Sequence, residues 1–187
     1  GSDRVGDVGP SGVTMRDLFG RYDTRYRAAK SPVIISQPYG SKEYDLFSVE
    51  AIDDGAFAND KFKISITNIK ASTNPNSNYG TFELQIRAFD DTDFDKKVLE
   101  RFPQCTLDPT SDRYVARQVG DKKAYFNHDA DQEKERRIIV SGKYPNRSTI
   151  VRVVPTQDLE AGKINDTALP FGFRGVNIVK TNDTLTD

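Results

Sequence analysis

The residues of this chain that could do chemistry are few. Among 187 residues there is one histidine, His128, and one cysteine, Cys105. Nucleophilic catalysis needs a nucleophile, a base and a group that orients the base, so a Ser-His-Asp or Cys-His arrangement would have to pass through His128. That residue sits in NHDADQEKE, and the chain carries neither a nucleophile elbow nor a catalytic-cysteine signature, so it reads as a surface-loop histidine. Cys105 lies between polar Gln104 and Thr106, which places it on the inner side of a strand as a small core residue.

Two acidic groups invite a metal ion. Asp91, Asp93 and Asp95 in DDTDFDK copy positions 1, 3 and 5 of a calcium loop, but position 6 is Lys96 instead of glycine and position 12 is Phe102 instead of glutamate. His128, Asp129, Asp131 and Glu133 form the second group, with Lys134 and Arg136 close enough to neutralise it. Both read as solvated charged turns. No glycine-rich loop with a lysine is available to cradle phosphate, and no spacing selects a carboxylate pair for glycoside hydrolysis. The expectation is a protein that is not an enzyme and has no catalytic, cofactor-binding or metal-binding residue.

The elements that would position any site are mostly strands. FKISITN alternates Phe62, Ile64 and Ile66 with Lys63, Ser65 and Thr67. TFELQIRAF repeats the period with Phe82, Leu84 and Ile86 on one side and Glu83, Gln85 and Arg87 on the other. Such alternation predicts strands with one buried and one wet face, hence antiparallel or mixed sheet. STNPNSNYG between them is turn chemistry. Further strands are expected at 31–36, 44–52, 97–102, 124–127, 137–140 and 149–154, with loops at DDGAFAND (53–60) and SGKYPNRS (141–148). ALPFGFRG (168–175) reads as an ordered loop with aromatic anchors. Helices are expected after Thr14, where Met15, Leu18, Phe19 and Tyr22 form one stripe, and as a turn at Leu159. A third follows Asp108-Pro109, capped by Thr110 or Ser111, with Asp112 in its first turn and Gly120 at its end. The class is α+β: mostly antiparallel or mixed β-sheet, sandwich-like, with a few short helices.

The 27 basic and 28 acidic residues leave a net charge of −1, whereas a nucleic-acid binder carries a basic excess. No apolar run is long enough for a transmembrane helix and no signal peptide is evident. Residues 1–12 (GSDRVGDVGPSG) read as linker, beginning with a Gly-Ser of the kind cloning leaves. A single domain is expected over 13–178, with 13–45 as a small annex, followed by a polar tail at 179–187. Polar ends of this kind suggest a segment of a longer protein.

The central block carries a resemblance. AIDDGAFANDKFKISITNI, YGTFELQIRAFDDTD and VLERFPQCTLDPTSDRYVARQVGD follow one another in that order. They resemble the contractile tail sheath proteins of myophages, in the spelling found in giant phages of the phiKZ type. In that family a strand like Thr81–Arg87 leads to a segment matched here by Glu100, Phe102, Leu107, Asp108, Pro109, Ser111 and Tyr114. The likeness covers 49–119, and KYPNRSTIVRV and LPFGFRG extend it loosely over 143–175.

The resemblance implies a structural virion protein of the phage tail, assembled in the host cytoplasm. Its subunits would stack as hexameric rings around the tail tube protein and contract to drive genome delivery. Partners would be other copies of itself and the tube, with no nucleic acid and no membrane. Terminal arms that add strands to neighbouring subunits are not evident in this chain, which leads to the expectation of a monomer. Subunit contacts are expected in two charged runs. Asp91, Asp93, Asp95, Lys96 and Lys97 represent DDTDFDKK; Asp129, Asp131, Glu133, Arg136 and Arg137 represent NHDADQEKERR. The competing reading is a β-rich virion module that binds carbohydrate or a receptor, with Tyr39, Tyr44, Phe57 and Tyr79 as its aromatic cluster.

Overall fold

The computed structural model describes residues 28–127, 130 and 132–175. The helix expected after Thr14 and the tail from Val179 lie outside them. The fold is α+β, with ten strands in three sheets and three short helices among the described residues.

The longest strand, β3 (Asp45–Asp54), is the spine of a five-stranded sheet. On one edge it pairs with β9 (Val151–Pro155). On the other it takes two short strands in tandem, β1 (Ala28–Lys30) and β2 (Ile34–Ser36). The expected strand over 31–36 is therefore broken, because Pro32 has no N–H for a ladder. The outer edge of β2 pairs with β10 (Pro170–Phe173), so the segment expected to be an ordered loop contains a strand. Phe171 and Phe173 are 73% and 47% exposed, which corrects their reading as anchors.

The second sheet is an antiparallel meander of β4 (Phe62–Lys70), β5 (Thr81–Ala88) and β6 (Val98–Cys105). Its apolar face meets the first sheet, where the rings of Phe47 and Phe82 stack with centroids 6.1 Å apart. Leu84, Ile86, Val49, Val153 and Cys105 complete this fully buried centre. Two strands, β7 (Lys123–Phe126) and β8 (Ile138–Ser141), form a separate hairpin. It is fastened to the first sheet by Lys123, whose ammonium lies 2.9 Å from the carboxylate of Glu50 on β3. Arg152 on β9 holds the same carboxylate at 2.8 Å. Burial works to raise the pKa of Glu50, but the two cations outweigh it and hold it below the ordinary value.

Three further expectations fail for physical reasons. DDGAFAND is not all loop: β3 runs on to Asp54, and a helical turn, α1 (Phe57–Lys61), then buries Ala58. The helix α2 (Val115–Val119) begins after Tyr114 with no side-chain cap, so neither Thr110 nor Ser111 caps it and Asp112 precedes it. Most telling is β5, where Glu83, Gln85 and Arg87 were expected to be wet and are 2%, 9% and 6% exposed. As the central strand it lies beneath long side chains from its neighbours, and pairing makes the burial of its charges affordable.

The third helix, α3 (Gln157–Glu160), starts where Thr156 accepts a bond from the Leu159 amide. Gly120 ends α2 at φ +109°, as its position suggested. A side chain there would also strike Asn146, with a Cβ only 2.3 Å from its Cα. This close approach lets the 142–148 loop pack on the end of α2, where Arg147 and Ser148 amides donate to the Val119 carbonyl.

Candidate functional site

The corner between β6 and α2 carries the residues of the resemblance. Thr106 closes it from both sides: its amide donates to the Arg113 carbonyl at 2.9 Å, and its carbonyl accepts from the Val115 amide at 3.0 Å. Inside this ring Asp108 Oδ1 accepts from the Thr110 amide (2.9 Å) and hydroxyl (2.7 Å), and Ser111 Oγ accepts from the Arg113 amide. Thr110 and Ser111 therefore shape the turn that Pro109 starts. Leu107 and Tyr114 are buried beneath it. Glu100 reaches across to the loop before β9, accepting from the Thr149 amide (2.9 Å), the Thr149 hydroxyl (2.8 Å) and the Ser148 hydroxyl. Burial pushes the Cys105 thiol up to about 12, so it is an inert core thiol.

The first charged run, 90–97, is built on a buried ion cluster. Arg87 Nε lies 2.6 Å from Asp91 Oδ2, its Nη2 lies 2.9 Å from Asp91 Oδ1, and Lys63 Nζ lies 2.6 Å from the same Oδ1. The Lys97 amide donates to Asp91 Oδ2 at 3.0 Å. Asp91 is thus fully enclosed, and the Arg87 guanidinium beside it, then Lys63, hold its carboxyl well below the usual carboxylate range. Its proposed role as a subunit contact is corrected: it anchors the loop from inside. Asp93 is outward-facing with one bond to Arg87, Lys97 pairs with Asp90 at 3.1 Å, and Asp95 and Lys96 are exposed without an ion pair among the described residues. Between them Phe94 is wholly exposed. The charge count of this run concealed Phe94, and an unpaired aromatic between aspartates was the available signal.

The second run joins β7 to β8. A 3-10 turn spans Glu133–Glu135, and Glu133, Arg136 and Arg137 are exposed. Arg136 Nε donates to the Ala130 carbonyl at 3.3 Å, and the Asn127 amide donates to the Arg137 carbonyl. His128, Asp129 and Asp131 lie outside the described residues. The two runs are not brought together by any contact that the structure describes.

A third feature is an open polar cleft of about 470 Å³, lined by Asn76, Asn78, Tyr79, Asp108, Thr110 and Asp166. Burial, and then a hydrogen bond to the Asp166 carboxylate, push the Tyr79 hydroxyl up to about 12. Of the proposed aromatic cluster, Tyr39, Tyr44 and Tyr79 pack against the core and only Phe57 is exposed, so no aromatic platform forms. Among the described residues no group of three His, Cys, Asp or Glu gathers as metal ligands, and no helix is long and apolar enough to cross a membrane. The features define an α+β scaffold with charged loops and a shallow polar cleft. No family model, no curated protein and no solved structure matches the chain.

Proposed function

We propose that the chain is the core of a contractile tail sheath subunit, a structural virion protein that assembles with copies of itself around a tail tube. The observation that carries this reading is the ordered block from Thr81 to Tyr114. Its residues have jobs suited to a rigid subunit: β5 fills the centre of a sheet, Glu100 clamps the loop before β9, and Leu107 and Tyr114 seat the corner. A subunit that shifts between lattices as a rigid body needs such internal fastening and a surface of modest charged contacts. Electron microscopy of the intact gene product tests the reading. Hollow, cross-striated tubes are expected, and particles that stay dispersed in the presence of the tail tube would overturn it.

The polar cleft favours a second reading, a β-rich module that binds a neutral saccharide. Its two carboxylates and two amides are acceptors and donors suited to sugar hydroxyls. Saturable saccharide binding that Asp166→Ala abolishes would favour this reading over the first.

A further inference from the structure

We infer that residues 13–27 of this chain dock on its own body, laying the apolar stripe of Met15, Leu18, Phe19 and Tyr22 into the seam between the two sheets beside α1. The contact goes beyond the sheath reading and does not rest on it. Three observations carry it.

The first is the seam. Two adjoining cavities lie where β1 and β4, from different sheets, come together with α1. Ala51, Phe57, Ala58, Phe62 and Ile150 form the apolar wall of one, of about 220 Å³. The other, of about 200 Å³, shares Ala51, Ala58 and Phe62 and adds Val49, Ile64 and Val151. An apolar cavity of about 150 Å³ already admits a benzene ring, so each has room for one ring. The Phe57 ring stands 67% exposed at this wall, beside buried Ala51 and Ala58.

The second is the path of the chain, which chooses the occupant. Ala28 pairs opposite Asp54, which lines the first cavity, and Ala29 and Lys30 line the second. The chain therefore enters the described body at the seam itself. Five residues, Asp23 to Arg27, separate the stripe from Ala28. Fully extended they span at most roughly 16–18 Å, so the stripe cannot leave the neighbourhood. The helix expected from this spacing has an apolar face to bury, with two rings, Phe19 and Tyr22, three residues apart on it. So short a tether gives the stripe an effective concentration in the millimolar range, which a second copy in solution does not match.

The third is charge. The segment carries Arg16, Arg21, Arg25 and Arg27 against Asp17 and Asp23. Arg25 and Arg27 lie within three residues of Ala28, and so beside Asp53 and Asp54, which line the first cavity, are exposed and have no ion pair among the described residues. At the second cavity Lys63 is already held by Asp91, whereas Lys30 is exposed and has no ion pair among them. Asp23 is the segment's nearest carboxylate to it along the chain. Each uncommitted charge lining the seam thus has an opposite charge in the segment to meet.

The chain contains no tryptophan, so Phe57→Trp in the full chain places a single reporter in the wall of the first cavity. Its fluorescence is expected to be shielded from acrylamide at every protein concentration. Leu18→Asp with Phe19→Asp should expose it and raise the quenching constant several-fold. Asp53→Lys with Asp54→Lys should expose it in part, and adding Arg25→Asp with Arg27→Asp should restore the shielding. These substitutions fall on exposed residues of the body or on the segment itself, so the core stays intact. A second measurement leaves Phe57 in place. Arg16→Cys with Ala56→Cys in one chain should close an intramolecular disulfide under mild oxidant, and buried Cys105 does not interfere. Closure is expected to be about tenfold faster than in the same chain carrying Leu18→Asp and Phe19→Asp, because docking adds to the concentration that the tether alone supplies. A closure rate indifferent to those two substitutions, or a reporter equally quenched with and without them, overturns the contact. Shielding that grows with protein concentration, or disulfides formed between chains, gives the seam to a second copy and overturns it as well. None of these outcomes moves the sheath reading, which stands or falls on tubes of the intact protein.

Discussion

The two charged runs look alike in sequence and differ in what lies beneath them. Run 90–97 grows from the central strand of a three-stranded sheet, and its second carboxylate, Asp91, is enclosed between Arg87 and Lys63. Run 127–137 closes a two-stranded hairpin, and its described contacts are short-range: Arg136 to Ala130, and the Asn127 amide to Arg137. Hairpins of two strands are marginal by themselves. This hairpin is held to the body through Lys123 and Glu50 at its other end. Composition thus reports that a segment is charged, whereas cross-strand partners decide whether its charges hold a shape.

The largest expected effect attacks the enclosed carboxylate. Asp91→Ala leaves Arg87 and Lys63 facing each other without their shared counterion and releases the Lys97 amide. Removing one member of a buried pair is among the few single changes that destabilise strongly. The melting temperature should fall by several degrees, and the amides of Asp95 and Lys97 should lose protection from hydrogen exchange together. Exchange rates at these amides matching those of Arg136 and Arg137 in the unaltered protein would erase the distinction between the runs.

A smaller effect lies on the same face of β5 and depends on pH. Arg101 holds the Glu83 carboxyl down at about 2 from its ordinary 4.5, with Gln85 and Asn68 assisting against desolvation. A carboxylate whose pKa is lowered by folding contributes stability that is fully present above 4.5 and is lost as the pH falls toward 2. Glu83→Gln should therefore lower the melting temperature at neutral pH and flatten its decline between pH 5 and pH 2, the window set by those two values. Arg101 is 60% exposed, so solvent screens the pair and the loss at neutral pH stays below that of Asp91→Ala. Parallel melting curves for the two proteins across the acid range would show that Glu83 is not held as described.

The sequence made the strands legible where a period of two survives. β4 and β5 were plain from Phe62–Ile66 and Phe82–Ile86, and the stop at Gly120 followed from glycine alone. The wet face of β5 was not legible, because its burial depends on Arg101, 18 residues away, and on Asn68, 15 away. β10 was hidden by Pro170 and Gly172, poor strand formers that take their order from pairing with β2. α1, at five residues, is too short for a helical period to register. At the candidate surface the loops could be placed, but not the inward turn of Asp91 or the outward turn of Phe94. Both depend on Arg87 pulling one end of the loop into the sheet.

The smallest effect is expected in the second run. Arg136 and Arg137 are exposed and make no ion pair among the described residues, and their described bonds are to or from backbone. Exposed ion pairs are worth only about 0–1 kcal/mol, and unpaired exposed charges carry less. Reversing both, Arg136→Glu with Arg137→Glu, should shift the melting temperature by no more than about 2–4 °C, the equivalent of 1 kcal/mol in a chain of this size. Residues 133–135 already hold two glutamates, so the shift should be downward at low salt and shrink as salt is added. A loss as large as that of Asp91→Ala, or one that salt leaves unchanged, would mean that run 127–137 is anchored as firmly as run 90–97.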